Sequence, residues 1–323
     1  MLSGEQIGQL MDRIREQFAM AQDAEITMEV NPGTANAEKL RNFYTAGINR
    51  LSIGMQSAQA EELKNLGRIH DFEGFCQVYR EAVEAGFTNI NVDIMSGLPG
   101  QTLASYRDTL EKVLHLEPMP QHISAYSLIV EEGTPFAAMA ERGELPLPEE
   151  ETERAMYEET IEETIEVLAK YGFHRYEISN YARDGYECRH NVGYWIRRDY
   201  LGFGIGAASL IDNVRFQNEK SLGAYLAHPL ESREEEQTLT VQDRMEETMF
   251  LGLRLTRGVS CVDFAEQYGR TVEEVYGEVI ARNVADGLLT VTERKENQKK
   301  DRFLALTKRG LDLSNYVMAQ FLF

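Results

Sequence analysis

Residues 89–101 decide the fold of this chain; they read N-I-N-V-D-I-M-S-G-L-P-G-Q. The first half predicts a buried strand because it is rich in apolar, β-branched side chains, namely Ile90, Val92 and Ile94. The strand breaks at the tight turn 97–101, and a helical pattern follows. Asp93 lies within the strand, where an unpartnered carboxylate would be costly. Asp93 therefore either caps its own turn or belongs to a ligand site at the carboxyl end of the strand.

Strands and helices alternate on both sides of this stretch. Three more strand patterns occur, at residues 25–30, 50–55 and 122–128. Such alternation predicts a parallel sheet with right-handed crossovers. Four parallel strands cannot close a barrel, and the chain opens on a helix that no strand precedes. We therefore expect an incomplete (β/α) barrel that lacks its first one or two βα units. Its exposed edge, strand 25–30, predicts self-association or poor solubility.

The composition excludes several classes of protein. The 323 residues carry a formal net charge of −20, which argues against a general nucleic-acid surface. The three cysteines, Cys76, Cys188 and Cys261, lie far apart and show no metal-binding spacing, which favours a reducing cytoplasm. No signal peptide or membrane-spanning segment is predicted.

Polar residues recur near the carboxyl ends of the four predicted strands: Glu29 and Asn31, Gln56 and Ser57, Asp93, and Ser124 and Tyr126. Arg68 follows the second strand a little further along the chain. Each residue alone is as well explained by a hydrogen-bonded core position. Four strands with polar groups at one edge favour a binding site there. His122, which opens its strand, is interpreted as structural.

The middle of the chain, residues 136–242, combines an irregular connection with unusual chemistry. An acidic helix is predicted over about 148–171, with its Glu residues on a solvated face. Residues 174–180 alternate like a strand, and we expect the segment 136–242, up to and beyond the motif at 190–195, to continue the sheet. Residues 190–195 read H-N-V-G-Y-W and include the one Trp. These residues suit either a flat haem site with a nitrogen ligand or an aromatic plug under a loop, and composition alone favours the plug.

Residues 243–323 predict a separate small domain, and residues 1–135 the partial barrel. Helices followed by two short strands are typical of a winged helix, with a polar loop over 293–301. Basic residues in this loop could contact nucleic acid. A solvated hairpin explains them equally well.

Several motifs together resemble the coproporphyrinogen III oxidase-like branch of the radical S-adenosylmethionine (SAM) proteins, and within it the HemW-type haem chaperones. They are E-V-N-P at 29–32, R-L-S-I-G-M-Q-S at 50–57, N-V-D at 91–93 with G-L-P-G-Q at 97–101, S-A-Y-S-L at 124–128, Y-E-I-S-N at 176–180, H-N-V-G-Y-W at 190–195 and L-T-K-R-G at 306–310. The resemblance covers essentially the whole chain.

The resemblance implies roles for eight residues. SAM would contact Glu29, Gln56, Arg68 and Asp93, since carboxylates suit its hydroxyl and amino groups and Arg suits its carboxylate. Haem would be handled by His190, Asn191, Tyr194 and Trp195. His190 is our candidate iron ligand, an inference from chemistry, with Tyr194 and Trp195 as a flat wall.

The chain departs from the family pattern in two ways. It has no C-x-x-x-C-x-x-C motif for the family's [4Fe–4S] cluster, and Ala208 stands in G-A-A-S where many relatives have G-A-H-S. Without thiolate ligands we do not expect reductive cleavage of SAM. Whether the chain is an enzyme therefore stays open.

Three functions follow as hypotheses. The first is a haem-binding chaperone that delivers haem to acceptor proteins. The second is an oxygen-independent coproporphyrinogen III dehydrogenase, which would require the cluster. The third is a nucleic-acid-binding module built on the C-terminal domain.

Overall fold

The computed structural model describes residues 2–130, 132–143, 150–229, 231, 233–296 and 299–322. These form two compact units, Met1–Glu187 and Cys188–Phe323. The first unit therefore includes the beginning of the predicted middle part, and the second includes its end. The three-part division at 135 and 242 stays a prediction. Residues 131 and 144–149 of the predicted irregular connection lie outside the described residues.

The first unit is an α/β fold. Its strands are β1 (Thr27–Val30), β2 (Arg50–Gln56), β3 (Ile90–Ser96), β4 (His122–Ser127), β5 (His174–Arg175) and β6 (Asn180–Ala182). Its α-helices are α1 (Gly4–Gln17), α2 (Ala37–Ala46), α3 (Ala60–Asn65), α4 (Phe72–Ala85), α5 (Leu103–Leu114), α6 (Pro135–Glu141) and α7 (Glu150–Lys170). A 3₁₀ turn spans Pro32–Thr34.

These strands form one sheet in the order β1-β2-β3-β4-β6-β5. The first four are parallel, as predicted, and β6 and β5 are antiparallel to their neighbours. Among the described residues β1 pairs on one side alone, so the predicted exposed edge is present. Self-association through it stays a prediction.

The prediction of one strand over 174–180 is wrong, because the chain reverses between β5 and β6. The Glu177 carboxylate accepts hydrogen bonds from the backbone N–H of Ser179 (2.7 Å) and from Asn180 Nδ2 (2.6 Å). This local bonding closes the turn and competes with an extended strand.

The core of the first unit lies on one face of the sheet. The side chains on this face are fully buried and pack against the helices; they include Leu51, Ile53, Val92, Ile94 and Ile123 from the strands and Leu40, Phe75 and Leu110 from the helices. Successive strand residues point to opposite faces. The intervening residues of β1–β4 therefore share the other face, and these are mostly polar.

The second unit contains two small sheets and seven helices among its described residues. One sheet has the order β7-β8-β9 and the other β10-β12-β11. The strands are β7 (Ala208–Ile211), β8 (Val214–Asn218), β9 (Arg233–Thr238), β10 (Val259–Ser260), β11 (Leu289–Glu296) and β12 (Lys299–Leu306). The helices are α8 (Arg189–Trp195), α9 (Leu222–Ala227), α10 (Val241–Gly252), α11 (Cys261–Tyr268), α12 (Val272–Ala285), α13 (Lys308–Asp312) and α14 (Ser314–Ala319).

Two further predictions need correction here. The sheet β7-β8-β9 is separate, so residues 188–242 do not continue the first sheet. Strands β11 and β12 also extend through most of the predicted polar loop 293–301, where opposite charges face each other across the strands at Glu293–Arg302 and Arg294–Asp301. In the part of the chain that is described, no helix is long and apolar enough to cross a membrane.

Candidate functional site

The polar face of the first sheet carries the candidate SAM residues from β1 to β4. In the strand register Glu29 is opposite Ser52, Gly54 is opposite Asp93, and Asp93 is opposite Ser124. Asp93 lies in the middle of β3, so the site extends along the strands instead of being confined to their carboxyl ends. The register brings polar groups of four strands onto one surface.

Asn91 is the centre of a hydrogen-bond network on this face. Its Nδ2 donates to Asp93 Oδ1 (2.6 Å) and Ser52 Oγ (2.7 Å). Its Oδ1 accepts from Ser124 Oγ (3.1 Å) and contacts His122 Nδ1 (2.6 Å). Because the Asn91 amide is fully engaged, it holds the Asp93 carboxylate in one position.

His122 lies at the buried end of this network. It has the structural role that the sequence predicted. Its ring is fully buried, and its Nε2 lies 2.8 Å from the Tyr176 hydroxyl. Since the Asn91 oxygen can only accept, His122 Nδ1 carries the proton and Nε2 accepts from Tyr176. Burial, with a smaller effect of Arg50, holds the pKa of His122 well below its usual value.

Asp93 does not cap its own turn, so that interpretation is wrong. The turn at 97–101 is held by Gln101, whose Nε2 donates to the buried carboxylate of Glu62 (3.0 Å) and to the carbonyl of Met95 (3.1 Å). Burial raises the pKa of Asp93, the charge of Glu29 adds to this, and hydrogen bonds from Asn91 and Ser124 oppose it. A carboxylate that is costly to ionise is suited to a ligand that brings hydroxyl or amino donors.

Tyr126 hydrogen-bonds one candidate SAM residue and is influenced electrostatically by the other three; the sequence placed it among the polar residues of this edge, but the resemblance did not assign it to SAM. Burial raises its pKa to about 12, and Asp93, Gln56, Arg68 and Glu29 each influence it. Its hydroxyl donates to Gln56 Oε1 (3.0 Å). One phenol therefore hydrogen-bonds Gln56 and feels the charges of Asp93, Arg68 and Glu29. The available sequence signal was the alternation of Tyr126 with Ser124 on β4.

The end of β2 is shaped to leave space beside Asp93. A Cβ on Gly54 would lie 2.9 Å from Gln56 Nε2 and within 4.0 Å of Asn31 Oδ1 and Asp93 Oδ2. Gln56 has a positive φ of 71°, which is uncommon outside glycine, where the register with β3 shifts. The bulge turns the Gln56 amide towards Tyr126 and keeps the floor at Gly54 open.

Glu29 and Arg68 form the rim of this surface. Glu29 is exposed on the edge strand, and Arg68 Nη1 donates to Asn31 Oδ1 (3.0 Å). Arg68 also lines a cleft of about 460 Å³ that is bounded by the 3₁₀ turn and α4. The polar face thus offers carboxylates, amides and a guanidinium, which fit the ribose, amino and carboxylate groups of SAM.

The candidate haem residues lie on helix α8 of the second unit. His190 is exposed and its ring contacts Tyr194 one turn later, with ring centroids 4.8 Å apart and planes at 84°. Tyr194 in turn contacts Tyr200, with ring centroids 4.7 Å apart. His190 and Tyr194 therefore share one side of the helix.

Trp195 lies on a different side of α8 and does not join His190 in a common wall. The guanidinium of Arg254 lies 4.3 Å from the centre of its ring. Trp195 Nε1 is buried and has no hydrogen-bond partner among the described residues, and the ring lines a cleft of about 100 Å³ together with Thr248, Asp263 and Phe303. Asn191, one residue after His190, is partly exposed.

A buried ion pair fixes the end of α8 to α10. Arg197 Nε donates to Glu247 Oε2 (2.6 Å), and both side chains are at least 93% buried. Glu247 Oε1 also pairs with Arg215 (2.7 Å), which hydrogen-bonds the Tyr200 side chain. Glu247 thus holds Tyr200, Tyr200 packs on Tyr194, and Tyr194 packs on His190.

The cysteines do not fit an iron–sulfur cluster. Cys76 lies on α4, Cys188 precedes α8 and Cys261 begins α11, and none of the three is in a disulfide. Within the described ranges, no group of three or more His, Cys, Asp and Glu side chains could hold a metal ion. A [4Fe–4S] cluster needs a set of thiolates that these residues do not supply.

Models of known protein families match a part of each unit. A model of the radical SAM superfamily matches residues 3–113, and one of the HemN C-terminal domain matches residues 239–313. The structure of coproporphyrinogen III oxidase (HemN) from Escherichia coli matches 99% of this chain and 74% of its own, with a TM-score of 0.79 and 24% identity. That likeness shows the fold.

Two curated relatives show the family. "Heme chaperone HemW" of Bacillus subtilis (strain 168) is 37% identical over 328 residues, which cover 99% of this chain and 82% of the relative. "Heme chaperone HemW" of Escherichia coli (strain K12) is 34% identical over 298 residues, covering 90% and 75%. The chain belongs to the HemW haem chaperone family of radical SAM proteins.

Proposed function

We propose that this protein binds haem through helix α8 and delivers it to acceptor proteins. The observation that carries the proposal is the exposed His190, backed by Tyr194 and Tyr200. An imidazole is a common axial ligand of haem iron. An exposed ligand suits a chaperone because haem held at the surface can be reached by an acceptor's own ligand.

Family membership supports the same function. The relatives that match most of this chain are named haem chaperones. The second unit also carries the aromatic rings and cations that a flat, dianionic porphyrin needs. Asn191 and Trp195 would then act next to the haem or through the packing of α8, with Trp195 held by Arg254.

The polar face of the first unit would bind SAM. Asp93, Glu29 and Gln56 would take its hydroxyl and amino groups, and Arg68 its carboxylate. SAM bound to a cluster supplies radical chemistry in this superfamily; no step of that kind is assigned to the residues described. We place the protein in the cytoplasm, as its few, scattered thiols suggest.

The test is haem titration of the full chain, followed by mixing of the complex with apomyoglobin as acceptor. The parent should form a Soret band and pass haem to apomyoglobin. His190→Ala should lose most of the Soret shift, whereas His228→Ala, which removes another exposed imidazole, should not. Absence of haem binding by the parent, or equal spectra for His190→Ala and the parent, would overturn the proposal.

A further inference from the structure

Five large apolar side chains are exposed in one short part of the second unit. Three lie in the loop 201–206, which reads L-G-F-G-I-G, and two on helix α9. Their exposed fractions are 44% for Leu201, 68% for Phe203, 49% for Ile205, 58% for Leu222 and 67% for Leu226. Exposed apolar residues that cluster in this way mark a binding surface more often than residues scattered singly.

Hydrogen bonds hold the backbone of this loop in one conformation, in which its apolar side chains are exposed. Asn218 Nδ2 donates to the carbonyls of Gly202 (3.2 Å) and Gly204 (2.9 Å). The N–H of Gly202 donates to Ser209 Oγ (3.0 Å). A Cβ on Gly202 would collide with the Ala208 carbonyl, so glycine is required for this close approach. The loop is therefore organised before any ligand arrives, which lowers the entropic cost of binding.

The loop and α9 form one surface. The N–H of Gly204 donates to the Tyr225 hydroxyl (3.1 Å), and Tyr225 lies on α9 between Leu222 and Leu226. The carbonyl of Glu219, just before α9, accepts from the N–H of Gly206. We call this surface, made of residues 201–205 with Leu222 and Leu226, the apolar platform.

The platform continues directly from the candidate haem ligand. His190 contacts Tyr194, Tyr194 contacts Tyr200, and Leu201 is the next residue after Tyr200. Phe203 lies three residues from Tyr200, a span of at most about 10 Å. The exposed imidazole is thus linked to the exposed apolar side chains through the contacts of Tyr194 and Tyr200.

Two cations lie near the ends of the platform. Haem carries two propionates on one edge of an otherwise apolar ring, and carboxylates bind Arg and Lys. Arg198 is exposed two residues before Tyr200, with Asp199 between them, and the stem of Lys220 lies next to Gly206 at the other end of the loop, directly after Glu219. Residues 200–206 themselves carry no charge, so the loop offers an apolar surface with one cation near each end that a propionate can reach.

We infer that the apolar platform is the contact surface for the porphyrin ring of haem, with His190 as the iron ligand and Phe203 as the main apolar contact. The inference rests on the proposed haem-chaperone function and adds the residues that hold the macrocycle. Haem would then lie on the open surface of the protein, held by its ring as well as by its iron.

Two probes separate the ring from the iron: haem, and protoporphyrin IX without metal. Both are titrated into the full-length parent and into His190→Ala, Phe203→Ser and Tyr316→Ser. Tyr316 is 61% exposed on α14 and is a matched control for the loss of an exposed aromatic side chain. Phe203→Leu is included because it keeps an apolar side chain.

Phe203→Ser should raise the dissociation constants of both probes about 10-fold, because it removes apolar contact area. His190→Ala should weaken haem and leave metal-free porphyrin within about twofold of the parent. Phe203→Leu should recover most of the affinity, and Tyr316→Ser should match the parent. If Phe203→Ser binds both probes as the parent does, the platform is overturned and the haem function stands. If the parent binds no haem, both proposals fail.

Discussion

Asn91 Nδ2 lies 2.6 Å from Asp93 Oδ1, two residues along the same strand, and this contact organises the polar face of the first sheet. The two side chains share a face because strand residues alternate. Asn91 is itself held by His122, which accepts from Tyr176. The position of the candidate SAM carboxylate therefore depends on a residue 83 positions later in the chain.

Asp93→Asn should separate ligand binding from stability. The substitution removes an acceptor for ligand hydroxyl or amino groups, so SAM affinity should fall 10-fold or more by equilibrium dialysis. Burial raises the pKa of Asp93, so removal of this charge should leave the free energy of unfolding unchanged or increase it. Exposed Glu38→Asn serves as the control. Unchanged SAM affinity in Asp93→Asn would contradict the site.

Tyr176→Phe should destabilise the first unit by about 1–2 kcal/mol. It removes the hydroxyl that donates to His122 Nε2 and leaves a buried acceptor unpaired. Urea unfolding of the full chain measures the effect. Tyr171→Phe, at a side chain that is 40% exposed, should change stability by less than about 0.5 kcal/mol. Equal stabilities of the two variants would argue against the network.

Stability should fall as the pH drops below about 6.5, through His122. Its folded-state pKa lies well below that of the unfolded chain. The unfolded state therefore binds the extra proton, and the contribution present above pH 6.5 is lost as pH falls towards the folded pKa. The slope from this group approaches about 1.4 kcal/mol per pH unit.

Asp93 has the opposite effect on the pH dependence of stability. Because its pKa is raised in the folded state, protonation at acid pH favours that state. The His122 effect is isolated by comparing the parent with His122→Gln in urea at pH 7.5, 6.5 and 5.5. The variant should show a weaker loss of stability, and exposed His115→Gln should follow the parent. A parent and His122→Gln with the same slope would exclude this origin.

Glu247→Gln should destabilise the second unit by about 3 kcal/mol. It leaves Arg197, which is 5% exposed, without its buried carboxylate. Tyr200 should also become less fixed, and haem affinity should fall with it. Urea unfolding and haem titration test both effects. Glu266→Gln, at an exposed position on α11, should behave as the parent; a Glu247→Gln variant that does the same would show that the ion pair contributes nothing.

Self-association through the β1 edge should be visible as a dimer or larger species by light scattering. An edge strand presents unpaired backbone groups to a second chain. Met28→Pro removes one backbone N–H on that strand and should shift the mass towards the monomer. A monomeric parent would contradict this prediction.

The amino-acid sequence by itself determined the strand and helix order of β1–β4, because apolar periodicity is a local property. It also supplied the residues predicted for both candidate sites, and these stay predictions. It did not determine the turn between β5 and β6, where the Glu177 side chain overrides an alternating pattern. Nor did it indicate the sheet β7-β8-β9, whose strands are short and partly polar.

Only the tertiary structure decided which side chains meet. Tyr126 interacts with four residues that lie up to 97 positions away from it along the chain, because the parallel register sets β1 to β4 side by side. His190 and Trp195 are five residues apart on α8, so helix geometry places their side chains on different sides of the helix, and Trp195 packs on Arg254. Periodicity says which face a residue occupies. Register and packing, which depend on distant parts of the chain, decide what it touches.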